Sequence, residues 1–160
     1  MVIGHDTRFL GREFALATAE ILQQVGLEPL LTNRDAPTPV IAFSIRHKKA
    51  IGGVNIPASH NPFGYSGFKF SMPNGAGAPP EFTGKIEAHA EKLLAKGWQP
   101  KTAVIGTFSC REFDPAPAYL NRIRKLIDLR AIGKAKLRIA VELMHGTGRG
   151  YLDTLLEEAG

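Results

Sequence analysis

Cysteine is almost missing from this chain. Cys110 is the only one, so no intrachain disulfide can form, and such sparing use fits a reducing compartment. Nothing in its spacing marks Cys110 as a nucleophile, and a plain buried or half-buried thiol is expected. No apolar run approaches the roughly 20 residues of a membrane-spanning helix, and no apolar signal segment opens the chain. No membrane partner is therefore expected, and the chain reads as cytoplasmic. Also missing is a Lys/Arg run of the kind a DNA-binding arm carries. The 20 Lys and Arg outnumber 15 Asp and Glu for a formal charge of +5, but bases and acids are interspersed. That pattern describes a solvated surface with a weak preference for anions, and no nucleic-acid partner is expected. Internal repeats and low-complexity tracts are absent too.

What is present is ordinary globular material: 160 residues, 44% hydrophobic and 22% charged, enough for one sizeable core plus a remnant. The segment from Val2 to Gly4 reads as a short core strand, followed by the polar turn His5-Asp6-Thr7-Arg8. A helix is expected from about Gly11 to Val25, with Phe14, Ala17, Ile21 and Val25 on one buried stripe and Gly26 as its stop. Leu27 to Leu31 reads as a strand, Val40 to His47 as a short helix after Pro37 and Pro39. Ala50 to Ile56 reads as a further strand in which Gly52 and Gly53 permit close backbone approach.

Beyond the loop Pro57-Ala58-Ser59-His60-Asn61-Pro62, a turn at Ser66-Gly67 leads into a short strand, Phe68 to Phe70. There the two phenylalanines should face the core and Lys69 the opposite way. Turn residues fill 71–80, helical periodicity resumes from Glu81 to Leu94, and Gly97 ends it. Thr102 to Cys110 is moderately β-prone. A helix from Ala118 to about Leu129 should bury Leu120, Ile123 and Ile127. Leu137 to Leu143 reads as a strand, His145 to Gly150 as a glycine-rich turn, and the remainder to Ala159 as a helix. Strand, turn and helix open a new βα unit, so residues 1–133 are expected to form one domain and 134–160 the beginning of a second.

The chemistry concentrates in the loop after the Gly-Gly strand, since functional loops of α/β proteins sit at strand ends. The prolines around Ser59 restrict its backbone and would hold the hydroxyl at a fixed angle. Such preorganisation suits phosphoryl transfer, where positioning and charge stabilisation supply most of the rate. The alternative is a plain turn in which Ser59 or Asn61 bonds the backbone. Lys69 could orient a phosphate or exchange a proton with a sugar hydroxyl, or be a solvated strand lysine. Arg8 could bind phosphate or lock a loop. His5 reads as a surface or loop histidine, since it has no ligand partner at metal-binding spacing. The turn at His145 to Gly150 lacks the lysine and Ser/Thr of a nucleotide P-loop, and a close-approach role is favoured.

The run Gly52-Gly53-Val54-Asn55-Ile56-Pro57-Ala58-Ser59-His60-Asn61-Pro62, followed by Gly67-Phe68-Lys69, resembles the signature of the alpha-D-phosphohexomutases, the family of phosphoglucomutase and phosphomannomutase. Gly4-His5-Asp6-Thr7-Arg8 is similar to the family's early Gly-x-Asp-x-Arg segment. Asp114 to Leu120 is similar to the stretch before the helix closing its first domain, and Met144 to Gly150 to the opening of its second. Pro57 stands where threonine is usual, and Ser66 where asparagine is.

The resemblance implies an α/β fold, a mixed-sheet α/β/α sandwich truncated at both ends. It lacks the family's first strand and its second-domain Asp-x-Asp-x-Asp metal loop. It also implies a phosphoserine enzyme interconverting hexose 1- and 6-phosphates. Ser59 would carry the phosphoryl group and ligate Mg2+ through it. Lys69 would be general acid/base, His60 would shape or polarise the site, and Arg8 and Asn61 would support the loop. A hexose 1,6-bisphosphate would serve as activator. Glucose or mannose phosphates are the favoured substrates, glucosamine phosphate less so. The chain by itself should be catalytically incomplete, with domains II–IV lying elsewhere in a longer protein or supplied by another chain. The contrasting reading is a non-catalytic remnant that binds phosphate or a partner protein.

Overall fold

The computed structural model describes residues 1–99 and 107–160. Among the described residues, five strands form one mixed sheet: β1 (Val2–His5), β2 (Leu30–Thr32), β3 (Gly53–Ile56), β4 (Lys69–Ser71) and β5 (Arg111–Phe113), in the order β4-β3-β1-β2-β5. β1 pairs in parallel with both β2 and β3, β5 lies parallel to β2, and β4 runs antiparallel against β3. β1 and β3 are buried along their whole length, as strands covered on both faces must be. The parallel directions bring the carboxyl ends of β1, β2 and β3 to one edge of the sheet.

Helix α1 (Gly11–Gln24) covers one face and α2 (Thr38–His47) the other. On the α2 face, Val2, Val40, Ile41 and Ile45 pack with Ala116 and Leu120 of α4 (Ala116–Arg124), the helix that follows α3 (Pro80–Ala95). Two glycines let α2 approach closely: an added Cβ would lie 2.3 Å from Ile41 Cδ1 at Gly4 and 2.6 Å from Ile45 Cδ1 at Gly53. At Gly52 it would lie 2.9 Å from the Ser71 carbonyl oxygen, so the Gly-Gly pair serves the close approach its sequence suggests. Tyr151 and Leu155, beyond the expected domain boundary, bury into this same core. They belong to α6 (Leu152–Ala159) and the residue before it.

Helix α1 turns a different stripe inward from the one expected. Gly11, Ala15 and Ala19 are buried, while Phe14 and Val25 are 45% and 67% exposed. Rows of small and of large apolar residues run side by side along this helix, and periodicity does not say which meets the sheet. The small row wins because it allows the shorter helix-to-sheet distance, with a Cβ at Gly11 only 3.2 Å from the Asp6 carbonyl oxygen. The large row instead lines an open apolar groove of about 690 Å³ with Val54, Ile56, Phe68 and Trp98. Phe68, expected in the core, is 61% exposed there, whereas Phe70 packs on the core and stacks on Phe82 of α3.

Other departures have local causes. The second strand begins at Leu30, not Leu27, because the Leu27 amide still caps α1 by donating to the Leu22 carbonyl. The helix expected over 118–129 is broken into α4 and α5 (Leu129–Lys134). The Asp128 carboxylate accepts from the Arg130 and Ala131 amides and so starts a new helix. Leu137 to Leu143 is not a strand; a strand persists only through a ladder, and this segment has no neighbour in the sheet among the described residues. The β-prone stretch Thr102 to Cys110 lies mostly outside the described residues. Among the described residues no helix is long and apolar enough to cross a membrane.

Cys110 is half-buried, and burial followed by the nearby Glu112 carboxylate pushes its thiol up. Little thiolate should exist at neutral pH, and alkylation by iodoacetamide at about pH 7.5 should be slower than for an exposed model thiol; equal rates would contradict this burial. The stripe assignment is checked by Ala15→Leu, which should overpack the helix–sheet contact and cost about 1–3 kcal/mol in urea denaturation. Ala17→Leu, on the groove side, should change stability by less than about 0.5 kcal/mol.

Candidate active site

At the carboxyl end of β3 the chain passes from Ala58, fully buried, to Ser59 and His60, both exposed. The last ladder bond joins the Asp6 amide to the Ile56 carbonyl at 3.2 Å. One residue further, the Asp6 carboxylate bridges the two strand ends: Oδ2 accepts from the Ala58 amide at 2.6 Å and Oδ1 from the Arg8 amide at 3.0 Å. Arg8 Nη1 then reaches over the far side of the loop and donates to the Asn61 and Pro62 carbonyls at 2.7 and 2.8 Å. A turn inside the loop is closed by the Asn61 amide on the Ala58 carbonyl at 2.9 Å. The Pro57 carbonyl accepts from the Gly67 amide at 2.7 Å, which ties the loop to the segment entering β4. A Cβ at Gly67 would stand 2.6 Å from that oxygen, so only glycine fits.

Ser59 itself has φ +51, the left-handed region that costs an L residue roughly 1–2 kcal/mol. The bonds on either side hold it there. Its Oγ lies 3.3 Å from His60 Nδ1 and makes no hydrogen bond to the described backbone of the loop, so the loop is closed by main-chain groups and the hydroxyl sits exposed beside an imidazole. Asn61 takes part through its amide and carbonyl. Ser59, His60, Asn61 and Arg8 are thus brought together. Lys69 is exposed on β4 opposite Asn55 in the ladder, linked to the loop through Gly67, and no hydrogen bond or ion pair joins its side chain to Ser59 among the described residues. His5 is buried, its Nδ1 2.8 Å from the Asp6 carbonyl oxygen. It is therefore not the surface histidine its sequence position suggested, because the pleat that aims Val2 and Gly4 at α2 aims His5 under α1.

Comparison with known proteins decides which family this loop belongs to: residues 1–96 match the phosphoglucomutase/phosphomannomutase alpha/beta/alpha domain I. The chain belongs to this family. A phosphoglucomutase/phosphomannomutase of Thermococcus kodakarensis is 33% identical over 162 residues, covering all of this chain and 34% of the relative. A phosphoglucosamine mutase of Thioalkalivibrio sulfidiphilus is 32% identical over 160 residues, again all of this chain and 34% of the relative. A crystal structure of a Thermus thermophilus protein, described as a phosphomannomutase, superposes with a TM-score of 0.82 at 34% identity, over 99% of this chain and 34% of that one. The chain spans about a third of the length of the curated relatives it matches. Its fold is the α/β mixed-sheet first domain of the phosphohexomutases.

Sequence reasoning placed Asp6 in a Gly-x-Asp-x-Arg segment and Gly67 in a turn and in the family signature, but assigned neither a bond to the serine loop. The signal for Asp6 lay in its place two residues before Arg8 at a strand end, but its partner, an amide 52 residues away, is visible only once β1 and β3 are paired. Asp6→Ala leaves the Ala58 amide buried without a partner and should cost about 1–3 kcal/mol in chemical denaturation. Asp6→Asn keeps one acceptor and should cost less; an Asp6→Ala variant as stable as the unaltered chain would mean that the carboxylate does not hold the loop.

Proposed function

We propose that this chain supplies the phosphoserine part of a hexose-phosphate mutase. Ser59 donates a phosphoryl group to a hexose monophosphate and recovers one from the other end of the bisphosphate so formed, which interconverts the 1- and 6-phosphates. The observation that carries this reading is an exposed serine hydroxyl on a loop pinned at Ala58 on one side and at Asn61 and Pro62 on the other. In-line transfer needs the attacking and leaving oxygens held in place, and this loop holds one of them. His60, 3.3 Å from the Ser59 oxygen, polarises the hydroxyl or its phosphate ester. Lys69 is the general acid/base toward the sugar hydroxyl, and Arg8 and Asn61 support the loop. Family membership and the names of the relatives support a hexose phosphate as substrate; glucose and mannose phosphates come first, with glucosamine phosphate behind them.

Magnesium is implied by the family, with Ser59 as a ligand through its phosphate. The residues here do not by themselves fit such a site. Among the described residues no group of three or more His, Cys, Asp and Glu could hold a metal. The Asp6 carboxylate is already engaged by two amides, and a hard divalent cation wants about six oxygens. The carboxylates would come from further domains, II–IV, of a longer protein or of another chain. The reading takes residues 1–133 as the serine domain and 134–160 as the opening of the next, although Tyr151 and Leu155 are rooted in the first core.

Intact mass before and after incubation with glucose 1,6-bisphosphate and magnesium tests the reading. A gain of about 80 Da that vanishes in Ser59→Ala is the expected result, with no net turnover of glucose 1-phosphate by this chain alone. A folded chain that binds the sugar bisphosphate but gains no mass would favour a non-catalytic phosphate-binding remnant.

A further inference from the structure

On the same sheet edge as Ser59, above the carboxyl end of β2, a second loop is held by a different set of groups. The glycine-rich turn at His145 to Gly150 follows Met144 in the left-handed region and is left-handed again at His145 and Gly150 (φ 46, 57 and 77). L residues rarely adopt this conformation, and the restraint comes from Arg149. Its Nη1 donates to the His145 carbonyl and, at 2.7 Å, to the Gly146 carbonyl, while Nη2 meets Asp35 Oδ1 at 3.0 Å. Arg34 completes the contact from the other side. Its Nη2 donates to the Arg149 carbonyl at 2.7 Å, and its guanidinium lies 5.6 Å from the centre of the buried Tyr151 ring. Position 150 favours glycine through its φ of +77, and a Cβ there would also crowd Arg34 Nη1 at 3.3 Å.

The loop that carries Arg34 and Asp35 is bonded to both strands that build the serine loop. The Ala36 amide donates to the carbonyl of His5, the residue before Asp6, and Asn55 on β3 donates to Thr38 at the start of α2. Asp35 Oδ2 is buried without a hydrogen-bond partner, so Arg149 is the group that compensates this carboxylate.

We propose that Arg34, Asp35 and Arg149 form a clasp that fixes the His145–Gly150 turn relative to the Ser59 loop, making them positioning residues for phosphoryl transfer at Ser59. The positioning half rests on the function proposed above; the clasp itself does not. Both halves are read on the full chain with Asp35→Asn, Arg149→Met and the double variant, by amide hydrogen exchange of residues 145–150 and by the initial rate of Ser59 labelling from glucose 1,6-bisphosphate. Each single variant should speed exchange in the turn about tenfold with the amides of β1 and β3 unchanged. The double variant should match Arg149→Met, since Asp35 has already lost its partner there and the Arg149 bonds to the His145 and Gly146 carbonyls are gone in both. Unchanged exchange, or effects that add in the double variant, would overturn the clasp. Labelling should slow several-fold in the singles at an unchanged final extent, whereas equal rates beside a loosened turn would overturn the positioning role. A wild-type chain that is never labelled removes the mutase reading instead, and the exchange data still decide the clasp. If Arg149→Met does not fold, the milder Asp35→Asn carries both readouts.

Discussion

The Asp6 carboxylate is the constraint on which the serine loop depends. Two parallel strands that end side by side would ordinarily let their following loops diverge, and here one side chain prevents it. It takes the first amide beyond β3, at Ala58, and the amide of Arg8 in the turn beyond β1. Hydrogen bonds to a charged acceptor are worth about 1.5–3 kcal/mol, and the left-handed backbone at Ser59 costs roughly 1–2 kcal/mol. One such bond is of the size needed to offset the strain. The Arg8 bonds to Asn61 and Pro62 and the Gly67 bond to Pro57 add restraint on the sides Asp6 does not reach. Pro57, which has no amide hydrogen to give, sits where its carbonyl rather than its nitrogen is used.

The sheet order sets where this constraint can act. With β1 between β3 and β2, the polar turn after β1 borders the serine loop on one side and the Arg34–Asp35 loop on the other. Small residues keep the two helical layers close to the sheet around that edge: Gly4 and Gly53 under α2, Gly11 and Ala15 under α1. The α2 face is closed by α4 and by Tyr151 and Leu155. The opposite face is covered by α1, and among the described residues the Phe14–Trp98 groove lies open beside β3.

Much of the architecture was legible in the sequence because its signals were local. The Gly-Gly strand, the proline-framed loop at Ser59 and the stop at Gly26 each follow from what one or two residues permit, whereas the turn expected at Ser66-Gly67 falls earlier, where the Tyr65 amide bonds the Pro62 carbonyl. The parts that were not legible depend on partners far along the chain. Two apolar rows on α1 satisfy the same helical period, and only the distance to the sheet selects Gly11, Ala15 and Ala19. The alternation of Leu137, Ile139 and Val141 is strand-like, yet without a neighbouring strand it yields no ladder. His5 read as a loop residue because nothing in its neighbourhood announces that α1 will lie over it. Of the site, Ser59, His60, Asn61 and Arg8 converge. Lys69 is carried to the neighbouring strand without a bond to the serine, because an extended lysine on an edge strand has no partner among the described residues to fix its direction.

This distribution of groups bears on what the chain contributes to phosphoryl transfer. The positive charge nearest the serine edge is mostly committed to structure. Arg8 is engaged by two carbonyls, Arg149 by Asp35 and two carbonyls, and Arg34 by a carbonyl and a ring. A transferring phosphoryl group needs its charge compensated where it develops, and these arginines face their own backbone instead. On the proposed reading the division is physically coherent. The three arginines hold a strained serine and an adjoining strained turn in place, so the compensating cations must be brought to the hydroxyl from outside the loop. On that reading Lys69, exposed on β4 and without a side-chain bond among the described residues, would be one of them.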